Sequence, residues 1–183
     1  MAPSGQMSTP ELQELLKDAA LTGNWTLDAS RSTVGLRSKS MWGLVSVKGV
    51  FRQASGQGAV SPAGDVSGTM TVSAASIDTK NKKRDTHLRS ADFFESDKYP
   101  DITFTVNRAK PSGQGVTVSG GLTVRDRTRP VTFDAQVSVV STDEISLDAE
   151  VQIDRSDFGL TWGPMGVASM HNTITVHAVF TRR

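Results

Sequence analysis

Apolar and polar residues alternate along most of this chain, and that period of two restricts its fold more than anything else in the sequence. Trp25-Thr26-Leu27-Asp28 opens the series, and Val34 and Leu36 follow. The pattern recurs in Val45, Val47, Gly49 and Phe51, in Val66, Gly68, Met70 and Val72, and in Ile102, Phe104 and Val106. It continues through Val116–Val124, Val131–Val139, Ile145–Ile153 and Ile174–Phe180. Successive side chains of a strand point to opposite faces, so each stretch reads as a strand with one buried and one solvated face. Short turns between them, such as Pro62-Ala63-Gly64-Asp65 and Lys110-Pro111-Ser112-Gly113, make neighbours antiparallel. Ser55-Gly56-Gln57-Gly58 reads as a glycine-rich turn and Trp42-Gly43 as a break. With little helix to cover an open sheet, the strands must close on themselves or pack as two sheets. Strands of about nine residues, ~30 Å long, suit a closed up-and-down barrel.

The inward phase has a second property. Gly68, Gly120, Ala135, Ala149 and Ala178 fall in step with the large apolar residues. An eight-strand barrel is either filled by its side chains or holds one ligand. Small inward residues leave room for a ligand, and they equally let large neighbours interdigitate.

Two stretches break the alternation. Residues 1–22 form a polar, disordered start and a short helix. Thr9 caps it, Pro10 sits in its first turn, Leu12, Leu15, Leu16 and Ala19 share one face, and Gly23 stops it. Residues 23–183 form the barrel domain. Inside it, Thr79–Phe104 carries a short polar helix around Arg84-Asp85-Thr86-His87-Leu88-Arg89, the pair Phe93-Phe94, and Tyr99-Pro100, where proline restores extended geometry. This segment is expected to lay aromatics against the sheet or across a barrel mouth.

Chemistry is sparse. The 183 residues include 20 basic and 19 acidic side chains, a net charge of +1, which favours neither nucleic acid nor an acidic partner surface. There is no cysteine, so thiol nucleophiles and disulfides are excluded. His171 and His177 lie ~20 Å apart on one strand, too far to share a metal ion with His87. Nucleophile-elbow, zinc-helix and phosphate-loop motifs are absent. No catalytic residue, metal site or cofactor is expected. The first residues lack a basic-then-apolar signal and no apolar run reaches ~18 residues, so a cytoplasmic location without a transmembrane segment is expected.

Four motifs in order complete the picture: Trp25-Thr26-Leu27-Asp28; Arg84–Phe94 leading to Tyr99-Pro100-Asp101-Ile102-Thr103-Phe104; Gly121–Arg125 with Arg129-Pro130-Val131; and Ile153–Leu160. Together they resemble the YceI-like family of polyisoprenoid-binding domains. Arg31-Ser32 stands where that family often has His-Ser, and Asp126 where it usually has glycine, a turn position Asp tolerates because it reaches left-handed conformations. The resemblance implies an extended lipocalin-like antiparallel β-barrel, with short helical insertions and a short N-terminal helix. Its apolar tunnel would hold a long-chain isoprenoid or fatty ligand such as a polyprenol or isoprenoid quinone, and members often pair as homodimers.

On this reading the tunnel is lined by Met70, Leu88, Phe93, Phe94, Phe104, Leu122, Phe133, Phe158, Trp162 and Phe180. Arg84, Arg89 and Arg155 are the candidates for a polar head group. Arg84-Asp85 and Asp154–Asp157 equally suit a structural role, pinning the helical segments to the barrel. Trp162–Gly166 reads as an aromatic loop at a rim. Binding, transport or storage without turnover is the leading function. A lipid-modifying enzyme built on His87 with Asp85, and a filled interaction or stress-response barrel docking through Leu12 and Leu16, are the alternatives.

Overall fold

The structure, a computed structural model, describes residues 9–40, 45–113, 115–163 and 168–182. The expected disordered start, the Trp42-Gly43 break and Pro164-Met165-Gly166 lie outside them. Eleven strands form one antiparallel sheet: β1 (Gly23–Leu27), β2 (Thr33–Ser40), β3 (Val45–Phe51), β4 (Ala54–Val60), β5 (Val66–Ser73), β6 (Ile77–Asp78), β7 (Asp101–Ser112), β8 (Gly115–Val124), β9 (Arg127–Ser141), β10 (Glu144–Asp154) and β11 (Ala168–Arg182). Because β1 pairs with both β4 and β11, eight of them close into a ring in the order β1-β4-β5-β7-β8-β9-β10-β11. The barrel, not the sandwich, is the fold. Closure removes the unpaired edges that an open sheet would leave to be covered.

The three remaining strands extend the wall at one end, here the upper end. β1 and β2 are two halves of one bent strand along β11, with Leu27 opposite Phe180 and Thr33 opposite His177. Asp28 builds the bend: its carboxylate accepts from Ser30 N (3.1 Å), Ser30 Oγ (2.6 Å) and Arg31 Nε (2.8 Å). β3 and β4 are divided likewise at Arg52-Gln53, and β5 and β6 at Ala74–Ser76. Helix α2 (Lys82–Arg89) and the turns after it lead from β6 to β7 at this end. Helix α1 (Thr9–Lys17) belongs to the lower end.

Four local expectations are corrected. Ser55-Gly56-Gln57-Gly58 is not a turn but the middle of β4. Glycine is there for close approach, since a Cβ on Gly56 would lie 3.2 Å from Leu27 Cβ and 3.6 Å from the Phe180 ring. α1 stops at Lys17 rather than at Gly23, because Ala19 turns left-handed (φ 57°), and Leu21 replaces Ala19 as a buried residue. Pro111 lies inside the end of β7. In the β8–β9 turn it is Arg125 (φ 58°), not Asp126, that adopts the left-handed conformation.

Candidate functional site: the barrel interior and its upper mouth

Burial alternates along the strands as the sequence required, and it places Val118, Leu122 and Val124 of β8 and Ala135 and Val137 of β9 on the inside. The buried apolar residues gather in two clusters. The lower one joins Leu12, Leu21, Trp25 and Val137, with Val60, Val116, Val139, Ile145, Leu147 and Phe180 packed against it. The upper one joins Leu122, Val124, Phe158 and Leu160, with Phe94, Ile102, Phe104, Val131, Ile153 and Ile174 around it. Met70, Val106, Phe133, Ala149 and Val176 share the inward phase, belong to neither cluster, and are only half-buried. They lie along the barrel between its two packed ends. Phe104 bridges toward them, its ring centroid 5.5 Å from that of Phe133.

Polar bonds organise the upper mouth. Asn81 caps α2 by accepting from Arg84 N (3.0 Å). The buried Asp85 carboxylate accepts from the Thr79 backbone N–H and hydroxyl, while Arg84 donates to Thr79 Oγ1 and O, both at 2.8 Å. Arg125 reaches over from the β8–β9 turn to Glu95 Oε2 (2.8 Å) and to the carbonyls of Ala91 and Phe93.

On the far side, β9 and β10 pair only as far as Ala135 and Ala149. Above that point the 3₁₀ turn Arg155–Phe158 packs against β9, with Arg129 Nε donating to Asp157 O at 3.0 Å. Asp154 caps this turn. The Ser156 hydroxyl and backbone N–H hold its carboxyl below the usual carboxylate range. Gly159 ends it at φ 75°, a left-handed conformation glycine adopts without penalty.

Arg155 is 7% exposed and donates to the carbonyls of Leu160 (2.8 Å), Trp162 (2.7 Å) and Ser169 (3.1 Å). Its guanidinium carbon sits 5.5 Å from the Phe93 ring centroid, and its Nη2 is buried without a hydrogen-bond partner. Burial pulls its pKa below the ordinary guanidinium value. Phe93, His87 and Trp162 complete the rim, with ring centroids 4.4 Å apart for His87–Trp162 and 5.4 Å for Phe93–Trp162.

The residues named from sequence therefore separate by level. Met70, Phe104 and Phe133 face the middle of the barrel, and Phe180 belongs to the lower packing. Leu122 (7% exposed) and Phe158 (3%) are packed core at the upper end, joined by Phe94, which also meets Phe51 at 6.0 Å. Leu88 is half-buried on α2, and Phe93 and Trp162 (41% exposed) form the rim. Of the three arginines, Arg84 is bonded to Thr79 and Arg89 Nε donates to Asp85 O (3.3 Å); Arg155 alone of them combines deep burial with an unpaired nitrogen. His87 pairs with Asp92 Oδ2 at 2.9 Å, not with Asp85. Phe51, Val106, Ala149 and Val176 were missed as site residues, although their inward phase was readable.

A concavity of about 770 Å³ also lies where β9 and β10 part, lined by the polar Asp134, Gln136, Asp148, Glu150, Thr175 and His177 together with the inward-phase Ala135, Ala149 and Val176. Its carboxylates are engaged with neighbours, Asp134 with Thr117 Oγ1 and Asp148 with His177 Nδ1, both at 2.7 Å. Among the described residues no group of histidine or carboxylate side chains is placed to hold a metal ion, and no helix is long and apolar enough to cross a membrane.

A closed antiparallel barrel with a half-buried apolar interior and a helical cover over one mouth defines the class, a lipocalin-like β-barrel. The YceI-like domain profile matches residues 25–181, and the chain belongs to that family. Among curated relatives, Protein YceI of Escherichia coli O157:H7 is 36% identical over 96 residues, covering 50% of this chain and 50% of that protein. The chain thus matches about half the length of these relatives. Burkholderia cenocepacia BcnA superposes with a TM-score of 0.76 at 28% identity, covering 84% of this chain and 98% of BcnA. A Saccharophagus degradans domain described as polyisoprenoid-binding has the same fold, with a TM-score of 0.71 at 20% identity over 87% of this chain and 98% of that one.

Proposed function

We propose that the protein binds a long-chain isoprenoid or similar lipid, a polyprenol or isoprenoid quinone, inside the barrel and carries or stores it without chemical turnover. The observation that carries this reading is the split core. Met70, Val106 and Phe133, inward-phase residues between the two packed clusters, keep accessible surface beside the buried Val118 and Ala135, surface that a filled barrel of this size would have buried. The description of the Saccharophagus domain as polyisoprenoid-binding supports the same ligand class. Burying a chain of some twenty carbons at ~0.8 kcal/mol per methylene gives ~16 kcal/mol of gross driving force. Ordering the chain and losing its free motion offset much of that. The remainder suffices for retention.

The enzymatic alternative required His87 and Asp85 to work together, whereas each is bonded elsewhere. That favours a carrier. Pairing as a homodimer belongs to the same reading as an expectation from the family. The test is organic extraction and mass spectrometry of protein purified without detergent. A stoichiometric isoprenoid or quinone is the expected result. A protein that is empty and also takes up no added polyprenol or quinone would leave the filled interaction barrel in its place.

A further inference from the structure

We propose that α1 is a stopper that makes the barrel one-mouthed, so that its leucines set how far a bound chain descends and therefore which chain lengths fit. The inference rests on the lipid-binding reading and adds direction and length to it.

A helix docked on the outer wall would meet outward-facing residues of one or two adjacent strands. Leu12 and Leu21, each 4% exposed, instead share a cluster with inward-phase residues of several walls: Val116 of β8, Val137 and Val139 of β9, Ile145 and Leu147 of β10 and Phe180 of β11. α1 itself comes nearest to β7 and β8, and the cluster its leucines join draws inward-phase residues from β8 through β11, which places the helix at the ring's end. Leu15 and Leu16 pack against the same cluster, and Leu16 also lies against Gly64 in the β4–β5 turn.

The seat is fastened as well as filled. Arg182 Nη1 donates to Ala20 O (2.7 Å) and Thr22 O (3.0 Å), its guanidinium carbon lies 5.5 Å from the Trp25 ring centroid, and Trp25 Nε1 donates to Leu21 O at 2.9 Å. α1 also lies outside the region matched by the family profile, which begins at residue 25.

The opposite end has a different surface. Its rim carries the half-exposed Trp162, the His87–Asp92 pair and the buried unpaired Nη2 of Arg155. A single apolar chain with one polar end is best accommodated tail-down against α1 and polar end up. An eleven-residue strand such as β10 is ~37 Å long, and a tilt of ~40° leaves roughly 28 Å of axial depth. α1 subtracts from that depth.

The experiment titrates the full chain with farnesol, geranylgeraniol and solanesol, and repeats the series with a Leu12→Ala, Leu16→Ala double variant. In the unaltered protein affinity should stop rising at a limiting length. The variant should move that limit to the longer chain and raise the solanesol-to-geranylgeraniol affinity ratio by about tenfold. Superimposable length profiles would overturn the stopper while leaving lipid binding intact, whereas no uptake of any isoprenol by the unaltered protein would overturn the lipid reading and the stopper with it. A second measurement leaves α1 untouched. Trp42→Phe with Trp162→Phe makes Trp25, at the stopper, the sole tryptophan of three. Isoprenols brominated at the tail should quench Trp25 and those brominated beside the hydroxyl should not; equal quenching by both overturns the proposed direction.

Discussion

At the lower end of the barrel, Leu12, Leu21, Trp25 and Val137 close the ring by burying apolar surface. At the upper end the cover is held largely by directional bonds: Asp85 and Arg84 on Thr79, Arg125 on Glu95 and two carbonyls, and Arg155 on three more. Apolar packing is non-directional and fails gradually as volume is removed. A buried polar network is satisfied only in one geometry, and losing one member leaves its partners unpaired. The comparison teaches that the lower end should yield by degrees as volume is removed, and the upper end abruptly when one polar member is lost.

The sharpest way to test that contrast is to remove Arg155. Arg155→Ala strips three hydrogen bonds from a charged donor and leaves the Leu160, Trp162 and Ser169 carbonyls without it. Relief of the unpaired Nη2 offsets part of the loss. The net cost should be ~3 kcal/mol in urea unfolding, and Arg155→Lys should recover little of it, because a single ammonium cannot serve three carbonyls in the fork geometry. Hydrogen exchange should accelerate at 155–163 and at the start of β11 and stay unchanged at α1. A uniform acceleration over the whole chain would mean that the two ends are not separable.

The difference between the ends also explains what was legible in the sequence. Period-two alternation specified the strands and their inward faces, because Val118, Leu122, Ala135, Val137 and Ala178 are buried in the phase that the pattern demands; it left barrel and sandwich both open, and the pairing of β1 with β4 and β11 decides for the barrel. Gly56 misled, because glycine for close strand approach and glycine for a turn look alike in one dimension. The amphipathic face of α1 was readable, but not the surface it would cover. That depends on ring closure, which gathers residues of β8, β9, β10 and β11 into the cluster that Leu12 joins. Within the site, apolar type alone could not separate the packed Phe158 from the half-buried Phe133 or the rim residue Trp162, since their levels follow from strand register. Arg155 was one of three arginines on equal terms until its burial set it apart.

Leu12→Ala probes the other side of the contrast. Truncating a buried leucine costs between ~2 and 5 kcal/mol, depending on how far the surroundings collapse. Here the cost should sit near the lower bound, ~2 kcal/mol, because α1 can shift as a unit while the closed ring above it persists. Exchange protection should fall in α1 and around Trp25 and remain unchanged in α2. A larger loss than that of Arg155→Ala would reverse the ranking of the two ends.

Acid should separate the ends with the smallest perturbation of all. At the upper end the Lys80 backbone N–H and then Arg52 hold the Asp78 carboxyl below its usual range, and the Ser156 hydroxyl and N–H do the same for Asp154. A carboxyl whose folded pKa is depressed binds protons more readily in the unfolded chain. Its stabilising contribution is therefore present above the unfolded value of about 3.9 and is lost as pH falls through the folded one. Lowering pH through and below about 4 should release the cap of the 3₁₀ turn and expose Trp162 to quencher before Trp25, which is packed among Leu12, Leu21 and Val137 under the Arg182 guanidinium. Asp154→Asn should weaken the pH dependence of Trp162 exposure and leave that of Trp25 unaltered. Simultaneous exposure of both tryptophans in the parent protein would show that acid unfolds the barrel as one unit, and the mouth would then have no opening of its own.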